Sequence, residues 1–320
     1  MVSIVIPNYN GEQYLKACLE KLYEYTTLEI EVIIVDNGST DSKYEWIKNF
    51  PSIIWKQLDN NYGFSKAVNE GIRIAKGKFV VLLNNDTQIC VGFIEELKKV
   101  IEQQDTIFSV SSKMIQYHNP NYIDDVGDEY NLFGYASQRG HGKSVDCYNE
   151  SSRIFSSCGG AAIYRKELLE QIGFFDENFF AYLEDVDLGY RANINGYKNV
   201  YCPKAMVYHV GSATTGEGMS PLKVYLSARN NIYLIYKNMP IIQLLINLPF
   251  LIIGSSLRYY MFKKKGFGED YKRGLFEGIK KCNSIKKTKI QIKNLKYYFT
   301  CELMLIYNTY KYIARRISGD

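Results

Sequence analysis

Short clusters of polar residues follow three apolar runs in the first part of the chain. They are Pro7-Asn8-Tyr9-Asn10, the segment 36–41 that begins with Asp36, and Asn84-Asn85-Asp86-Thr87. Turns favour these residue types, and Ser39 or Asp41 could simply cap a helix. Three clusters after three strands are harder to assign to turns alone. Together they predict a pocket of hydrogen-bond acceptors and amide donors that suits a nucleotide.

Asp86 and His209 are the candidate metal ligands. Asp86 could be no more than a turn residue, but a hard cation such as Mg²⁺ or Mn²⁺ binds few carboxylates and leaves positions for a diphosphate. His209 ends an apolar run over 205–209 and is one of three histidines in the chain. A histidine in such a place is usually structural or exposed, so its part in metal binding depends on whether it meets Asp86 in the fold.

Three carboxylates fall within four positions, at Glu184, Asp185 and Asp187. On a helix, Asp187 and Arg191 share a face, which predicts a structural ion pair. Asp185 is displaced from that face and could reach a pocket as a general base. The alternative is a carboxylate that the helix dipole favours at an N-terminus.

Arg229 lies on a predicted helix, just ahead of the longest apolar segment of the chain. A guanidinium there could bind a phosphate through two parallel hydrogen bonds. The alternative is a surface salt bridge, which would have no part in binding.

Alternating strand and helix patterns predict the elements that place these clusters. Such an order indicates βαβ units, and therefore a mostly parallel sheet with helices on both faces and ligands beyond the carboxyl ends of its strands. The predicted strands are 3–7, 30–35, 52–58, 79–83 and 107–114, and the predicted helices are 12–25, 64–75 and 93–101.

The remaining residues have weaker patterns. The polar segment 117–150 predicts hairpins or a mobile loop, 153–164 a strand, 165–195 mostly helix, and 198–210 another strand. From Met219 onward the pattern is helical, with breaks near Gly266 and Gly268. These patterns divide the chain into a domain over 1–238, with halves 1–115 and 116–238, and a helical extension over 239–320.

Composition excludes several classes of protein. The 320 residues are 46% hydrophobic and 23% charged, unlike disordered, collagen-like or coiled-coil chains. Seven cysteines without a Cys-x-x-Cys pair argue against a disulfide framework or a zinc site and suit a reducing compartment. The first residues lack the basic region and cleavage site of a signal peptide. We therefore expect a cytoplasmic location.

Positive charge is concentrated at the C-terminal end. Residues 258–320 contain 16 basic and 5 acidic residues, a net charge of +11, whereas 1–257 contain 23 basic and 29 acidic residues, a net charge of −6. A basic segment can be a solvated face, or it can bind nucleic acid or an anionic membrane surface. The chain carries no nucleic-acid motif, so we expect no nucleic-acid partner.

An apolar stretch over 240–257 favours the membrane surface. It is short for a spanning helix and is interrupted by Gln243, Asn247, Pro249 and Gly254. Lysines follow at 263–265, and tyrosines are interspersed in the basic segment. The stretch predicts a helix that lies in the membrane plane or is partly inserted. A helix buried in the protein core is the alternative.

Eight segments in consistent order resemble family 2 inverting glycosyltransferases of the GT-A fold, over about residues 1–240. They are SIVIPNYN at 3–10, VDNGSTD at 35–41, NYGFSKAVNEGI at 61–72, LLNNDT at 82–87, GGA at 159–161, LEDVDLGYR at 183–191, YHVGSAT at 208–214 and ARNN at 228–231. The subgroup that these segments resemble most is the rhamnosyltransferases that build bacterial surface polysaccharide. The resemblance implies an α/β, Rossmann-like domain followed by a helical, basic C-terminal extension.

The resemblance also implies a role for each matching residue. Asn84 replaces the first acid of the family's Asp-x-Asp motif, which leaves Asp86 as the main ligand of Mn²⁺ or Mg²⁺ and His209 as a further one. Asp36 would bond the base, and Asp185 would be the catalytic base. The nucleotide and donor would be bordered by Pro7, Asn8, Tyr9, Asn61, Gly63, Phe64, Lys66, Asn84 and Asn85, and the acceptor by Gly159, Gly160, Glu184 and Arg229.

These roles imply transfer of a sugar, such as L-rhamnose, from a dTDP- or UDP-sugar to a glycan or polyprenyl-diphosphate-linked acceptor. The protein would act as a peripheral enzyme at the inner face of the cell membrane, and a homo-oligomer through the C-terminal helices is conceivable. Galactosyl or glucosyl transfer is an alternative. A sugar-1-phosphate nucleotidyltransferase is disfavoured by the single glycine after the first strand, and a non-catalytic scaffold by the presence of Asp36, Asp86 and Asp185.

Overall fold

A computed structural model describes residues 1–41, 44–211 and 218–318. The end of the segment 208–214 therefore lies outside the described residues. The main sheet has ten strands, and a separate hairpin pairs β8 with β9. The strands are β1 Val2–Asn8, β2 Ile30–Asp36, β3 Ile53–Gln57, β4 Phe79–Leu83, β5 Thr87–Ile89, β6 Ile107–Gln116, β7 Ile123–Asp125, β8 Asp128–Tyr130, β9 Ala136–Gln138, β10 Ser152–Ile154, β11 Ala161–Arg165 and β12 Lys198–His209.

The helices cover both faces of the sheet and continue to the C-terminal end of the described chain. They are α1 Glu12–Tyr25, α2 Phe64–Ile74, α3 Phe93–Ile101, α4 Lys166–Ile172, α5 Glu184–Ile194, α6 Pro221–Asn238, α7 Ile241–Lys264, α8 Gly268–Lys281 and α9 Leu295–Ser318, with short 3-10 turns at Tyr44–Asn49, Glu177–Phe179, Cys282–Ser284 and Ile292–Asn294.

The sheet is mostly parallel, as the sequence predicts. Its strand order is β10-β12-β6-β11-β4-β1-β2-β3. Strands β4, β1, β2 and β3 are parallel, β12 is parallel to β6, and β11 lies antiparallel between β4 and β6. The carboxyl ends of β1, β2 and β4 therefore meet at one edge, where their polar clusters lie together.

Side-chain alternation along the strands divides the core between the two faces. Ile4 and Ile6 of β1 pack with the buried side of α1 and α3, whereas Val5 packs with α2. This alternation is the expected consequence of strand geometry with helices on both faces. The predicted elements of the first 115 residues agree with the structure to within about two residues at their ends, a usual margin for helix and strand bounds.

The predictions for the middle of the chain need correction. The strand predicted over 153–164 is two strands, β10 and β11, separated by a buried turn that contains Gly159 and Gly160. The helical region predicted over 165–195 is interrupted at 173–183, since Gly173 ends α4 with φ +87°. The segment 117–150 forms β7, which pairs with β6, and the β8–β9 hairpin.

A third core joins the C-terminal helices to the rest of the protein. It contains Tyr130 of the β8–β9 hairpin, Tyr190 of α5, Leu234 of α6, Leu251 of α7 and Leu305 of α9. The core therefore runs across position 238, where the sequence predicts a domain boundary, and that boundary stays a prediction.

A buried ion cluster fastens α5 to α6. Asp187 is fully buried and accepts hydrogen bonds from Arg191 Nε at 3.0 Å, Lys237 Nζ at 2.9 Å and Asn238 Nδ2 at 2.7 Å. Burial alone would raise the pKa of Asp187, but Lys237 and Arg191 hold the pKa below its ordinary value. The expected Asp187–Arg191 pair is present, within a larger network.

We expect Asp187→Asn to lower the free energy of unfolding at pH 7 by about 3 kcal/mol, because buried Arg191 loses its anion and Lys237 keeps only Asp176. Urea unfolding measures the change. The folded pKa of Asp187 lies below the unfolded value of about 3.9, so the stabilisation is present above that pH and is lost as the pH falls. The difference between wild type and variant should therefore shrink in acid.

The matched control is Asp105→Asn. Asp105 also contacts an arginine, but its side chain is 99% exposed. We expect a change within about 0.5 kcal/mol, as for exposed ion pairs in general. Equal effects of the two variants would contradict the role given to the buried cluster.

Candidate active site

Asn8 connects the three polar clusters at the carboxyl edge of the sheet. Its Nδ2 lies 2.9 Å from Asp36 Oδ2 and 2.7 Å from the Tyr44 hydroxyl, and its Oδ1 accepts a hydrogen bond from Asn85 Nδ2 at 2.7 Å. The loops after β1, β2 and β4 thus form one continuous, amide-rich surface. Pro7 and Tyr9 flank Asn8 and are both half-buried.

Asp36 is fully buried beneath this surface. Its Oδ1 accepts hydrogen bonds from Ser39 N at 2.8 Å and Gln57 Nε2 at 2.6 Å, while Oδ2 faces Asn8. Both oxygens therefore have partners within the protein. The carboxylate shapes the loop after β2, and its bond to a nucleotide base stays a prediction.

The segment before α2 forms a second wall of the site. Asn61 Oδ1 accepts hydrogen bonds from Asn37 Nδ2 at 3.0 Å and from Gly63 N at 2.9 Å. Gly63 has φ +86°, and a Cβ there would lie 2.4 Å from the carbonyl oxygen of Phe180. Only glycine fits this close approach, which brings the start of α2 against the segment that precedes α5.

Lys66 points toward acidic neighbours on the surface. Its Nζ lies 3.1 Å from Glu70 Oε1 and 3.3 Å from Glu177 Oε2. Hydrogen bonding to Glu70 raises the pKa of Lys66. The structure therefore shows an ion network at Lys66, and contact with a donor phosphate remains a prediction.

Gly159 and Gly160 bridge the Asn84–Asp86 segment and the start of α5. Asn84 N donates to Gly160 O at 2.8 Å, and Gly159 N donates to Asp185 Oδ2 at 3.3 Å. A Cβ on Gly159 would lie 3.1 Å from Phe64 Cζ, and one on Gly160 would lie 3.1 Å from Asn84 Nδ2. The absence of side chains at the glycine pair lets the Asn84–Asp86 segment and the start of α5 approach each other.

His209 meets Asp86 through strand pairing. β5 pairs antiparallel with the end of β12, which sets His209 opposite Thr87. His209 Nε2 lies 3.4 Å from Asp86 Oδ1, and this buried nitrogen has no hydrogen-bond partner among the described residues. An orphaned imidazole nitrogen beside a carboxylate fits the ligand set of a divalent cation.

Within the described part of the chain, two candidate metal ligands, Asp86 and His209, are brought together at this place. Among the described residues, no group of three or more histidine, cysteine, aspartate or glutamate side chains could hold a metal ion. A cation at Asp86 and His209 would therefore depend on oxygen ligands from its substrate, as Mg²⁺ often does with phosphates.

Asp124 orients His209, and sequence reasoning missed it. Asp124 Oδ2 lies 2.7 Å from His209 Nδ1, so Nδ1–H donates to the carboxylate and Nε2 faces Asp86. Burial would lower the pKa of His209, but Asp124 and Asp86 raise the pKa to about 10. Positive charge is therefore favoured beside Asp86, and a divalent cation bound there would take the place of the Nε2 proton. The strand β7 places Asp124, and its polar sequence carries no periodic signal.

Asp185 stands at the first turn of α5, facing the glycine pair. Its carboxylate accepts hydrogen bonds from Val186 N at 2.8 Å and from Gly159 N. Burial raises the pKa of Asp185, against the effect of these N–H groups. A raised pKa makes the carboxylate a stronger proton acceptor.

Further acids surround Asp185 that the sequence did not single out. Burial and the charges of Asp124 and Asp185 raise the pKa of Asp125 to about 7, and Asp128 has a raised pKa for similar reasons. Glu184, predicted on the acceptor side, is buried, and burial raises its pKa. The predicted acceptor side of the site therefore contains several carboxyl groups with raised pKa values.

The loop before Asp185 has a strained backbone. Phe180, Tyr182 and Leu183 have φ of +65°, +71° and +67°, at a cost of about 1–3 kcal/mol for each such residue. Asn230 of α6, fully buried, donates through Nδ2 to the carbonyls of residues 179, 181 and 182 at 2.8–2.9 Å. These bonds hold the loop in place. The motif at 228–231 contains Asn230, but the sequence did not indicate this contact.

Arg229 supports the same loop. Its Nη2 donates to the carbonyls of Asn178 at 3.2 Å and Phe179 at 3.0 Å. Its guanidinium also stacks over Tyr233, 5.3 Å from the ring centroid. These contacts are with backbone carbonyls and an aromatic ring, and therefore differ from the surface salt bridge considered as an alternative. Phosphate binding by Arg229 stays a prediction.

Comparison with known proteins places this site in a family. The model of the family described as Glycosyl transferase family 2 matches residues 3–173. This chain belongs to that family. The match spans the loops after β1 and β2, the Asn84–Asp86 segment and the glycine pair.

A named relative agrees with this assignment, and solved structures share the fold. Glycosyltransferase GlyA of Streptococcus pneumoniae is 29% identical over 186 residues, which are 54% of this chain and 25% of GlyA. The chain thus spans about a quarter of the length of that relative. TarS 1-349 of S. aureus in complex with UDP-GlcNAc has a TM-score of 0.58 at 18% identity, over 100% of this chain and 92% of TarS.

GalNAc-T7 with UDP, GalNAc and Mn²⁺ has a TM-score of 0.60 at 16% identity, over 73% of this chain and 47% of the other. At these identities the likeness concerns the fold. The predicted GT-A fold of the chain is confirmed.

We expect Asp124→Ala to weaken Mn²⁺ binding by about 10- to 100-fold, because loss of a ligand's orienting partner commonly has this effect. Isothermal titration with Mn²⁺ and a nucleoside diphosphate measures the affinity. His141→Gln is the control, since His141 also contacts Asp124, at 3.5 Å, but on the exposed side. Unchanged affinity in Asp124→Ala would contradict the orienting role.

We expect Asn230→Ala to speed amide hydrogen exchange across residues 178–186 by at least tenfold, because three carbonyls of a strained loop lose their donor. Mass spectrometry of peptic fragments measures the exchange. Asn121→Ala, at an exposed asparagine, should leave exchange unchanged. Equal protection in Asn230→Ala and wild type would show that the loop holds its conformation without Asn230.

Proposed function

We propose that this protein is an inverting glycosyltransferase that moves a sugar from a nucleotide-diphosphate donor to a saccharide acceptor. One observation carries the proposal: the glycine pair Gly159-Gly160 joins the Asn84–Asp86 segment on one side to Asp185 on the other. A donor diphosphate beside Asp86 and an acceptor hydroxyl beside Asp185 would then flank one reacting carbon.

The donor is a dTDP- or UDP-sugar held at the carboxyl edge of β1, β2 and β4. The Asn8 and Asn85 amides are bonded to each other, and the Asn37 amide is bonded to Asn61 and to Gly63 O, which favours a rigid nucleotide pocket. The solved complexes of similar folds contain UDP or UDP-GlcNAc. These complexes support the donor class, and the base and sugar are part of the proposal.

Asp86 and His209 would hold Mn²⁺ or Mg²⁺. When bound, the cation supplies positive charge against the diphosphate as it departs. The structure of GalNAc-T7 contains Mn²⁺ with UDP. In this chain, the buried Nε2 of His209 beside Asp86 supports the binding of a divalent cation.

Asp185 acts as the general base. Its carboxylate takes the proton of an acceptor hydroxyl, and that oxygen forms a bond to the anomeric carbon as the bond to the donor phosphate breaks on the opposite face. The nucleoside diphosphate leaves with the electron pair, and the anomeric centre is inverted in one step. The raised pKa of Asp185 suits this proton transfer.

The acceptor is a glycan, proposed to be linked to polyprenyl diphosphate at the inner face of the cell membrane. Gly159, Gly160, Glu184 and Arg229 border its place. L-rhamnose is the proposed sugar on the basis of the sequence resemblance alone, and galactose or glucose is the alternative. A non-catalytic scaffold is disfavoured, because the acids around Asp185 remain and have raised pKa values.

We expect Asp185→Asn to lower turnover by about a thousandfold, because positioned general bases contribute about 10²–10⁴-fold. Release of nucleoside diphosphate from a panel of nucleotide sugars, with Mn²⁺, Mg²⁺ or EDTA, measures the activity. Thermal stabilisation by each donor reports binding separately, and we expect it to persist in Asp185→Asn. Asp105→Asn is the matched control and should retain full activity.

Near wild-type turnover in Asp185→Asn would remove the assignment of the base. Absence of turnover with every donor in the wild type, together with donor stabilisation, would favour the scaffold alternative.

A further inference from the structure

The helix α7 has its polar residues inside and its large apolar residues outside. Gln243 Nε2 and Asn247 Nδ2 face the protein and donate to Glu302 Oε2 of α9 at 2.6 and 3.0 Å. Gly254 is pressed against Phe133, where a Cβ would lie 2.2 Å from the carbonyl oxygen. The exposed side carries Ile241, Ile242, Leu245, Ile246, Leu248, Phe250, Ile252, Ile253, Leu257 and Tyr260.

The helix α9 has a second exposed apolar face. Its buried side contains Tyr298, Cys301, Leu305, Asn308 and Thr309. Its exposed side repeats an apolar residue every three or four positions, the spacing of one helix face. These residues are Leu295, Phe299, Leu303, Ile306, Tyr307, Tyr310, Ile313 and Ile317.

The two helices approach each other at two places along their length and run in the same direction. Glu302, in the third turn of α9, joins it to the first two turns of α7, and farther along Leu257 of α7 and Tyr312 of α9 line one cleft of about 260 Å³. Both helices cover the turn of the β8–β9 hairpin, where Phe133 lies between Phe250 and Tyr312. The exposed apolar residues of the two helices are here together called the apolar platform.

The apolar platform is too extensive to be ordinary surface. It presents eighteen large apolar residues, each at least 40% exposed, and contiguous apolar patches of this kind mark interaction sites. Only 17% of the most apolar 18-residue stretch of α7 is buried in the protein. The alternative of a buried core helix over 240–257 is therefore wrong for this chain.

Charge at the apolar platform favours an anionic partner. α7 contains no acidic residue, and Glu302, the acid of α9, faces inward. Lys263, Lys264 and Lys265 follow the end of the apolar stretch, and Arg258 and Arg316 line the cleft between the helices. A second copy of the chain would bring like charges together, whereas an anionic lipid surface complements them.

We propose that the apolar platform docks in the plane of an anionic membrane, with α7 and α9 both at the interface. α7 is long and apolar enough to cross a bilayer by length and composition. However, Gln243 and Asn247 on its inner side are hydrogen-bonded to Glu302 of α9, which favours an in-plane position. The docking stands independently of sugar transfer.

Docking would place the acceptor side of the site near the membrane. Glu129 of β8 pairs with Lys311 of α9 and with Arg315, and the neighbouring Asp128 belongs to the acids around Asp185. The platform and the acceptor side are thus joined through one hairpin. A lipid-linked acceptor would reach Asp185 from that side.

Flotation with vesicles tests the docking on the full chain. We expect wild type to bind vesicles of phosphatidylglycerol and phosphatidylcholine, and to bind pure phosphatidylcholine at least tenfold more weakly. Ile306→Glu/Ile313→Glu should lower partitioning to the anionic vesicles by at least tenfold, because two charges enter the apolar face. Ile306→Ser/Ile313→Ser should lower it by less, and Arg316→Gln should reduce the preference for anionic lipid.

The matched control is Val91→Glu/Gln103→Glu, which adds the same charge at two exposed positions on the α3 side of the fold. It should bind vesicles as wild type does. Circular dichroism and thermal unfolding confirm that each variant is folded, and donor-dependent thermal stabilisation reports the nucleotide site separately from docking.

Three results would overturn the proposal. They are a wild type that does not bind anionic vesicles, a folded Ile306→Glu/Ile313→Glu variant that binds them unchanged, and a wild type that covers the platform by dimerising instead. Sedimentation velocity over a range of concentrations, with the Glu variant as comparison, reveals the dimer.

Discussion

The hydrogen bonds from Asn230 to the loop before α5 determine where the proposed base stands. Three residues of that loop have positive φ, and such a backbone persists only when its surroundings hold it. One buried amide on α6 binds three of its carbonyls. α6 is itself fastened to α5 through Asp187 and Lys237. The position of Asp185 therefore depends on packing between two helices, and only secondarily on its own helix.

The electrostatics of the site follow from how acids are distributed across the cleft. Around Asp185, burial raises the pKa values of neighbouring carboxyl groups. At His209, two carboxylates instead face one imidazole and favour positive charge there. One side of the cleft is thus suited to accept a proton, and the other to a cation beside a diphosphate. The two environments differ although both are built from aspartates.

The C-terminal helices are part of the architecture of the site. The third core contains residues of the hairpin, α5, α6, α7 and α9. The C-terminal helices therefore have two sides. Their outer side is the surface that we propose to meet lipid, and their inner side packs against the predicted acceptor half. Truncation before α7 would remove packing from α5 as well as the membrane surface.

The sequence by itself determined the first 115 residues well, because their apolar periodicity is strong and each polar cluster follows a strand directly. It also identified Asp86, Asp185 and His209 as residues able to do chemistry. Whether His209 meets Asp86 was decided only by the pairing of β5 with β12, which joins positions 122 residues apart along the chain. Asp124 and Asn230 carried no signal, since a polar residue's partner is set by packing.

The same limit applies to the C-terminal helices. A helical period shows that α9 has one apolar face, but the period is identical whether that face turns inward or outward. Tertiary packing decided the matter, because the inner surface of α9 is occupied by the hairpin and by α5, and the inner stripe of α7 by Glu302 and Phe133. The apolar residues that remained were left facing outward, a direction that local sequence does not encode.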